Sequence, residues 1–152
     1  MLLDAFLQLS KEQAPTTGSV VSTNTIDLSE ARDIASGCPL FAIFGVDETV
    51  TSGSASTVTL QVISSAAANL SSPTVIAQSG AIPKADLVAG RNPIGLPIPD
   101  HALVALPKGQ RYLGVQYTIG GANLTAGKFT ASISKDAPSG SVKIYPSGFV
   151  VA

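Results

Sequence analysis

From Val20 onward, apolar and polar side chains alternate in steps of two, the period of a half-buried strand. VVSTNTIDL predicts a first strand, and PLFAIFGVDE a second, apolar enough to be buried on both faces. Between them SEARDIASG predicts one helical turn, with Ser29 as N-cap and Gly37 as terminator. In TVTLQVI, Val58, Leu60 and Val62 share one face, and Thr57, Thr59 and Gln61 the other. SSAAANLSS then turns the chain and PTVIAQS runs back. IPKADLVAG predicts a single turn closed by Gly90. The three prolines of NPIGLPIPD exclude a central strand and predict an extended crossing loop. His101 to Leu106 predicts a short strand. RYLGVQYTI sets Leu113, Val115, Tyr117 and Ile119 against Tyr112, Gly114, Gln116 and Thr118. After the turn GGANLTAG, KFTASISKD directs Phe129, Ala131 and Ile133 inward, and the tail PSGSVKIYPSGFVVA has its own small β-pattern.

Seven or eight short strands with no long helix and no repeat predict an all-β, antiparallel two-sheet sandwich. The chain has no Trp and a single Cys, so the Cys…Trp…Cys framework of an immunoglobulin domain is missing and a jelly roll is favoured. Phe41, Ile43, Val58, Leu60, Val62, Leu113, Val115, Phe129 and Ile133 form its predicted core. Ahead of the sandwich, Leu2, Leu3, Phe6, Leu7 and Leu9 are spaced for a short amphipathic helix or a hooked arm, broken off by Pro15 and Gly18. Such an end packs on its own domain or reaches a neighbour, and Leu2, Leu3, Phe6 and Leu7 are the candidate intersubunit contacts. The predicted organisation is an N-terminal arm at 1–18, a sandwich at 19–136 and a C-terminal extension at 137–152.

Composition sharpens this picture. Charged residues make up 12% of the 152-residue chain, about half the usual share, and Thr49 to Pro83 contains none. A net charge of -1 supplies no field for nucleic acid or anionic membranes. No window approaches the ~18 apolar residues of a membrane span, and MLLDAFLQLSKEQ, without a basic start, makes a poor signal peptide. Cys38 is alone, which excludes an intrachain disulfide or a thiolate zinc site and fits assembly in a reducing compartment. Chemistry is equally sparse. His101 is the one imidazole, and its neighbour Asp100 points to the opposite face of a strand. Asp47 and Glu48 read as a solvated turn at a strand end. No nucleophile elbow, phosphate loop or calcium loop occurs. The expectation is a non-enzyme with no catalytic residue, cofactor or metal. Aromatics sit at core positions, so no sugar-stacking platform is assigned, and the acceptor patterns at Asn69 and Asn123 lack a secretory context.

Taken together, MLLDAFLQLS, VVSTNTIDL, ARDI…G…PL, QRYLGVQYTIGG and LTAGKFTASIS resemble the jelly-roll capsid cement, or decoration, proteins of tailed bacteriophages. The likeness runs in interrupted blocks over roughly residues 1–136. The crossing from Asn92 to Pro107 is longer than that family's pattern, and the tail from Ala137 to Ala152 extends past its end. The resemblance implies a homotrimer, assembled in the host cytoplasm, on the outer surface of the mature virion head, where it bridges major capsid proteins and stabilises the shell. Nucleic acid and membrane are not expected partners. The alternative is a carbohydrate- or receptor-binding β-sandwich of a phage tail or secreted enzyme.

Overall fold

The computed structural model describes residues 4–29, 39–98 and 110–136. Ten strands follow in order: β1 (Gln8–Gln13), β2 (Ser19–Val21), β3 (Ile26–Asp27), β4 (Leu40–Ser52), β5 (Ser56–Ser65), β6 (Thr74–Gln78), β7 (Ile82–Pro83), β8 (Ile94–Ile98), β9 (Tyr112–Gly121) and β10 (Leu124–Ser134). Sheet A has the order β1-β10-β4-β8; sheet B has β2-β9-β5-β6, with β3 also on β9 and β7 also on β5. All pairings are antiparallel. Apart from the two-residue strands β3 and β7, eight strands remain. They pair first with last, as in one long hairpin: β1 with β10, β2 with β9, β4 with β8 and β5 with β6. Rolling that hairpin brings β10 onto β4 and β9 onto β5. This is the jelly roll.

Alternation along β5 and β9 fills the space between the sheets. Val58, Leu60, Val62, Val115 and Tyr117 are fully buried there. Across from them, β4 contributes Ala42, Phe44 and Val46, and β10 contributes Phe129, Ala131 and Ile133. The predicted core is one residue out of step in β4. Ile43 is buried but outside the inter-sheet cluster, and Phe41 is only half-buried. The apolar run LFAIF offers side chains to both faces, so period alone left the choice open. Tyr117 links the sheets: its ring meets Phe44 edge-on at 6.1 Å and stacks on Phe129 at 5.2 Å. Its hydroxyl shares a 2.6 Å hydrogen bond with the equally buried Ser10 Oγ of β1.

That bond corrects the predicted start of the sandwich. Strands begin at Gln8, not near Val20; β1 pairs with β10, and Leu9 is wholly buried. The proline-rich crossing is corrected too: residues 94–98 form β8 rather than a loop. It lies at an edge of sheet A, where a neighbour on one side only tolerates Pro97. The predicted first strand is split into β2 and β3, both on β9. The expected single turn is present as a 3-10 turn at Lys84–Asp86, but Leu87 caps it, and Gly90 stands at φ +78° in the loop beyond. The helical turn over 29–37, the strand at 101–106 and the tail at 137–152 fall wholly or largely outside the described residues.

On the outer face of sheet B the loop after β5 folds back. Ser65 Oγ accepts from Ala67 N and donates to Ser71 O, and Asn69 Oδ1 accepts from Ser71 N. This pins Leu70, at φ +55°, against Gly114. A Cβ on residue 114 would lie 2.3 Å from Leu70 Cδ1 and 2.9 Å from Ser22 Oγ, so glycine leaves the space that Leu70 fills.

Candidate interaction surfaces

Of the residues weighed for catalysis, Cys38, Asp100 and His101 lie outside the described residues. Asp47 and Glu48 do not form a turn. They sit within β4, where an irregular register against β10 turns both carboxylates toward that strand's outward side chains. Asp47 accepts a 2.6 Å hydrogen bond from Thr130 Oγ1, and Glu48 pairs with Lys128 at 3.1 Å. The Glu48 carboxylate raises the Lys128 pKa, so this is an ordinary exposed ion pair. Among the described residues no group of three or more His, Cys, Asp or Glu side chains could hold a metal ion. None of their helices is long and apolar enough to cross a membrane.

The N-terminal segment is a 3-10 turn, Ala5–Leu7, whose Asp4 carboxylate accepts from Phe6 N at 2.9 Å. It leads directly into β1. Leu7 turns inward and packs against the core of its own sandwich. Phe6 points the other way and is 92% exposed. Leu2 and Leu3 lie outside the described residues. Of the two described side chains among the four singled out in the sequence, Phe6 is the one presented to solvent, at the end of sheet A where Gln8 pairs with Ser132.

The two sheets differ sharply in charge. Sheet A carries Lys11 and Glu12 on β1, Asp47 and Glu48 on β4, and Lys128 on β10. The four longer strands of sheet B carry none, and the short β3 adds Asp27 at the rim, paired with Arg111 at 3.0 Å. Registers of these strands line up an uncharged outer face. One row runs Val21–Gln116–Gln61–Gln78 and the next Ser19–Thr118–Thr59. The side chains bond to one another across the strands. Gln61 Nε2 donates to Gln78 Oε1 at 3.0 Å, Thr118 Oγ1 donates to Gln61 Oε1 at 3.0 Å, and Ser19 Oγ lies 3.0 Å from Thr118 Oγ1. The sequence showed that Thr59, Gln61, Gln116 and Thr118 were neutral and outward. It did not show that they form a connected ladder, because that depends on which strands are neighbours.

Open clefts flank the sandwich among the described residues. One, of about 740 Å3, is lined by Ile82, Asp86, Val88, Arg91, Pro93 and Ile94, and the Arg91 guanidinium donates to the Asp86 carbonyl. Another, of about 490 Å3, lies between Pro83–Ala85 and Gly120–Gly121. The Lys84 ammonium beside it is tied to the carbonyls of Ser52 and Ser54, both at 2.8 Å. Neither of these brings an acid, a base and a nucleophile together.

A family model, Bbp16, matches residues 9–133. The match runs from the buried Leu9 of β1 to Ile133 of β10, and so covers the sandwich from its first strand to its last. No curated protein matches the chain.

Proposed function

The chain belongs to the Bbp16 family, and we propose that it is a structural capsid cement protein, bound as a homotrimer to the outside of a phage head. In this role it bridges major capsid proteins and stabilises the mature shell by binding it in preference to its dissociated parts. The proposal draws on the sequence resemblance to phage decoration proteins. Four of its five quoted segments fall on β1, β2, β3, β9 and β10, strands from both ends of the hairpin that the fold winds up, and ARDI…G…PL lies largely outside the described residues.

The observation that carries the reading is Phe6. A large apolar side chain left 92% in solvent, on a capped turn at the edge of an otherwise well-packed sandwich, is suited to burial by another chain. Covering it contributes roughly 1.5–3 kcal/mol per copy before ordering costs, and a trimer repeats the contact three times. Leu7 is spent on the protomer's own core, which reduces the proposed contact to Phe6 and the residues before it.

The test is a binding experiment with mature heads stripped of decoration. Wild-type protein saturates them at a fixed number of copies and raises the temperature at which they open. Phe6→Ala and removal of residues 1–6 both lower occupancy while leaving the melting of the free protein unchanged. Wild-type occupancy by both variants would remove Phe6 from the contact. Absence of head binding by wild-type protein, together with selective retention of oligosaccharides on a glycan array, would replace the cement reading by a carbohydrate-binding one.

A further inference from the structure

We propose that the exposed Phe6 of one copy of this chain inserts into the cleft between Pro83–Ala85 and Gly120–Gly121 of a neighbouring copy. This rests on the reading of Phe6 given above and names the chain that covers it. Phe6 stands 92% in solvent on a turn anchored from both sides: Leu7 packs against the core, and the Asp4 carboxylate accepts from Phe6 N at 2.9 Å. It cannot fill the cleft of its own protomer. The turn enters β1 where Gln8 faces Ser132 on β10. The cleft lies near the other end of β10, where Leu124 faces Ser52 and Ala122 N donates to Ala55 O. The strand between Leu124 and Ser132 spans roughly 27 Å. Ring and cleft therefore meet only between copies.

The cleft suits both the ring and the acid beside it. Its floor is bare backbone, because a Cβ on residue 121 would come within 2.6 Å of Ala55 O and one on residue 120 within 2.7 Å of Thr57 Oγ1. Its walls include Ala55, Pro83 and Ala85, and Lys84 is the charged residue among those that line it. Two of the three N–H bonds of the Lys84 ammonium go to the carbonyls of Ser52 and Ser54, which leaves one donor for an anion. Asp4 supplies that anion. It is exposed two residues before Phe6, and the turn engages its Oδ1 and not its Oδ2. A phenyl ring with a carboxylate beside it thus matches an apolar slot with an ammonium beside it. The larger cleft is the poorer match, since Asp86 lines it and would face Asp4.

A contact between two different patches runs head to tail. Every copy inserts one ring and receives one, and closure gives a ring of copies, three in the trimer proposed above. Its strength comes from one aromatic anchor seated in an apolar slot rather than from a wide patch. The exposed ion pair adds orientation and little energy. Copies therefore separate in dilute solution and join at high concentration, or where a common surface holds them side by side.

Analytical ultracentrifugation of the full chain, from micromolar to millimolar concentration, tests it. Wild-type protein should associate as concentration rises. Phe6→Ala removes the ring, and Ala85→Glu fills the cleft with a charge that repels Asp4; each should weaken association by about tenfold or more. Mixed in equal amounts, the two should form a species with one copy of each and nothing larger, because each pair retains one ring and one open cleft. Asp4→Asn keeps the cap on the turn but loses the charge, and should weaken association by about two- to fivefold. Val88→Glu, in the larger cleft, should behave as wild type. Circular dichroism and melting curves of dilute samples establish that each variant is folded. Wild-type association by Phe6→Ala or by Ala85→Glu, a mixture without the one-to-one species, or wild-type protein that stays monomeric at millimolar concentration would each overturn the proposal. Head binding that needs Phe6 while free association does not would put the ring on the shell and overturn this inference alone. Association as described, without head binding, would count against the cement reading alone.

Discussion

Replacing Tyr117 by Phe removes one oxygen from the middle of the sandwich and leaves the ring packing on Phe44 and Phe129 in place. Its partner Ser10 Oγ is then stranded at a position with no solvent exposure. An unpaired buried hydroxyl costs about 1–3 kcal/mol, and Ser10→Ala should cost a similar amount by stranding the phenol instead. The double variant has no orphan, so it should lie within about 1 kcal/mol of wild type, well below the sum of the two single costs. Urea unfolding measures this. With slopes of about 1–3 kcal/mol per molar, each single variant should shift the midpoint by about 1 M at constant slope. The pH dependence supplies a second readout. Burial pushes the Tyr117 phenol above its ordinary value, against a smaller opposing effect of the Ser10 bond. Below pH ~10 both states keep the proton; above it the unfolded chain releases the proton and the folded chain holds it. Wild-type stability should therefore fall by about 1.4 kcal/mol per pH unit relative to Tyr117→Phe as pH rises past that point. Additive single-variant costs in the double, or parallel alkaline profiles for wild type and Tyr117→Phe, would refute the reasoning.

Leu60→Ala empties a fully buried position between the sheets and should cost about 2–5 kcal/mol in the same assay. Gly114→Ala should destabilise by about 1–3 kcal/mol by pushing Leu70 off the sheet; adding Leu70→Ala should then cost less than the two separate losses would suggest, measured by thermal melting. Removal of residues 1–7 should leave a cooperative unfolding transition, while removal of 1–13 takes away Leu9, Ser10 and the pairing of β1 with β10, and should abolish it by calorimetry.

Period-two alternation was enough to locate β5, β9 and β10 and to name most of their inward residues, because each has one face in the core and one outside. It failed where that asymmetry is missing. In β4 both faces are apolar, and the inward set was misplaced by one. β1 was read as part of an arm because the apolar spacing up to Leu9 also suits a short helix, with Pro15 and Gly18 breaking the chain after it; the pattern of an edge strand with one buried pair, Leu9 and Ser10, is too short to register. β8 was excluded by its prolines, since the sequence does not say which strands will lie at an edge. Among the candidate contacts, Phe6 and Leu7 differ only through the direction of the turn that precedes β1. The neutral ladder needed the order β2-β9-β5-β6 before its members could be seen as neighbours.

The winding of the hairpin has a consequence for how the chain is made. Ser10 waits for Tyr117, 107 positions later, and Glu12 for Thr130, 118 later. Sheet A cannot close until its final strand has left the ribosome. The long uncharged stretch from Thr49 to Pro83 is synthesised well before β9 and β10 arrive to cover it. Folding dominated by such distant pairings is slow, and strands without partners invite association with other nascent chains. A stop only twenty residues short of Ser134 would leave β4 and β1 without their shared neighbour, so truncated products should be insoluble rather than partly active. Late closure also means that the first and last strands of the sandwich are commitments made together, in a single step once β10 is available.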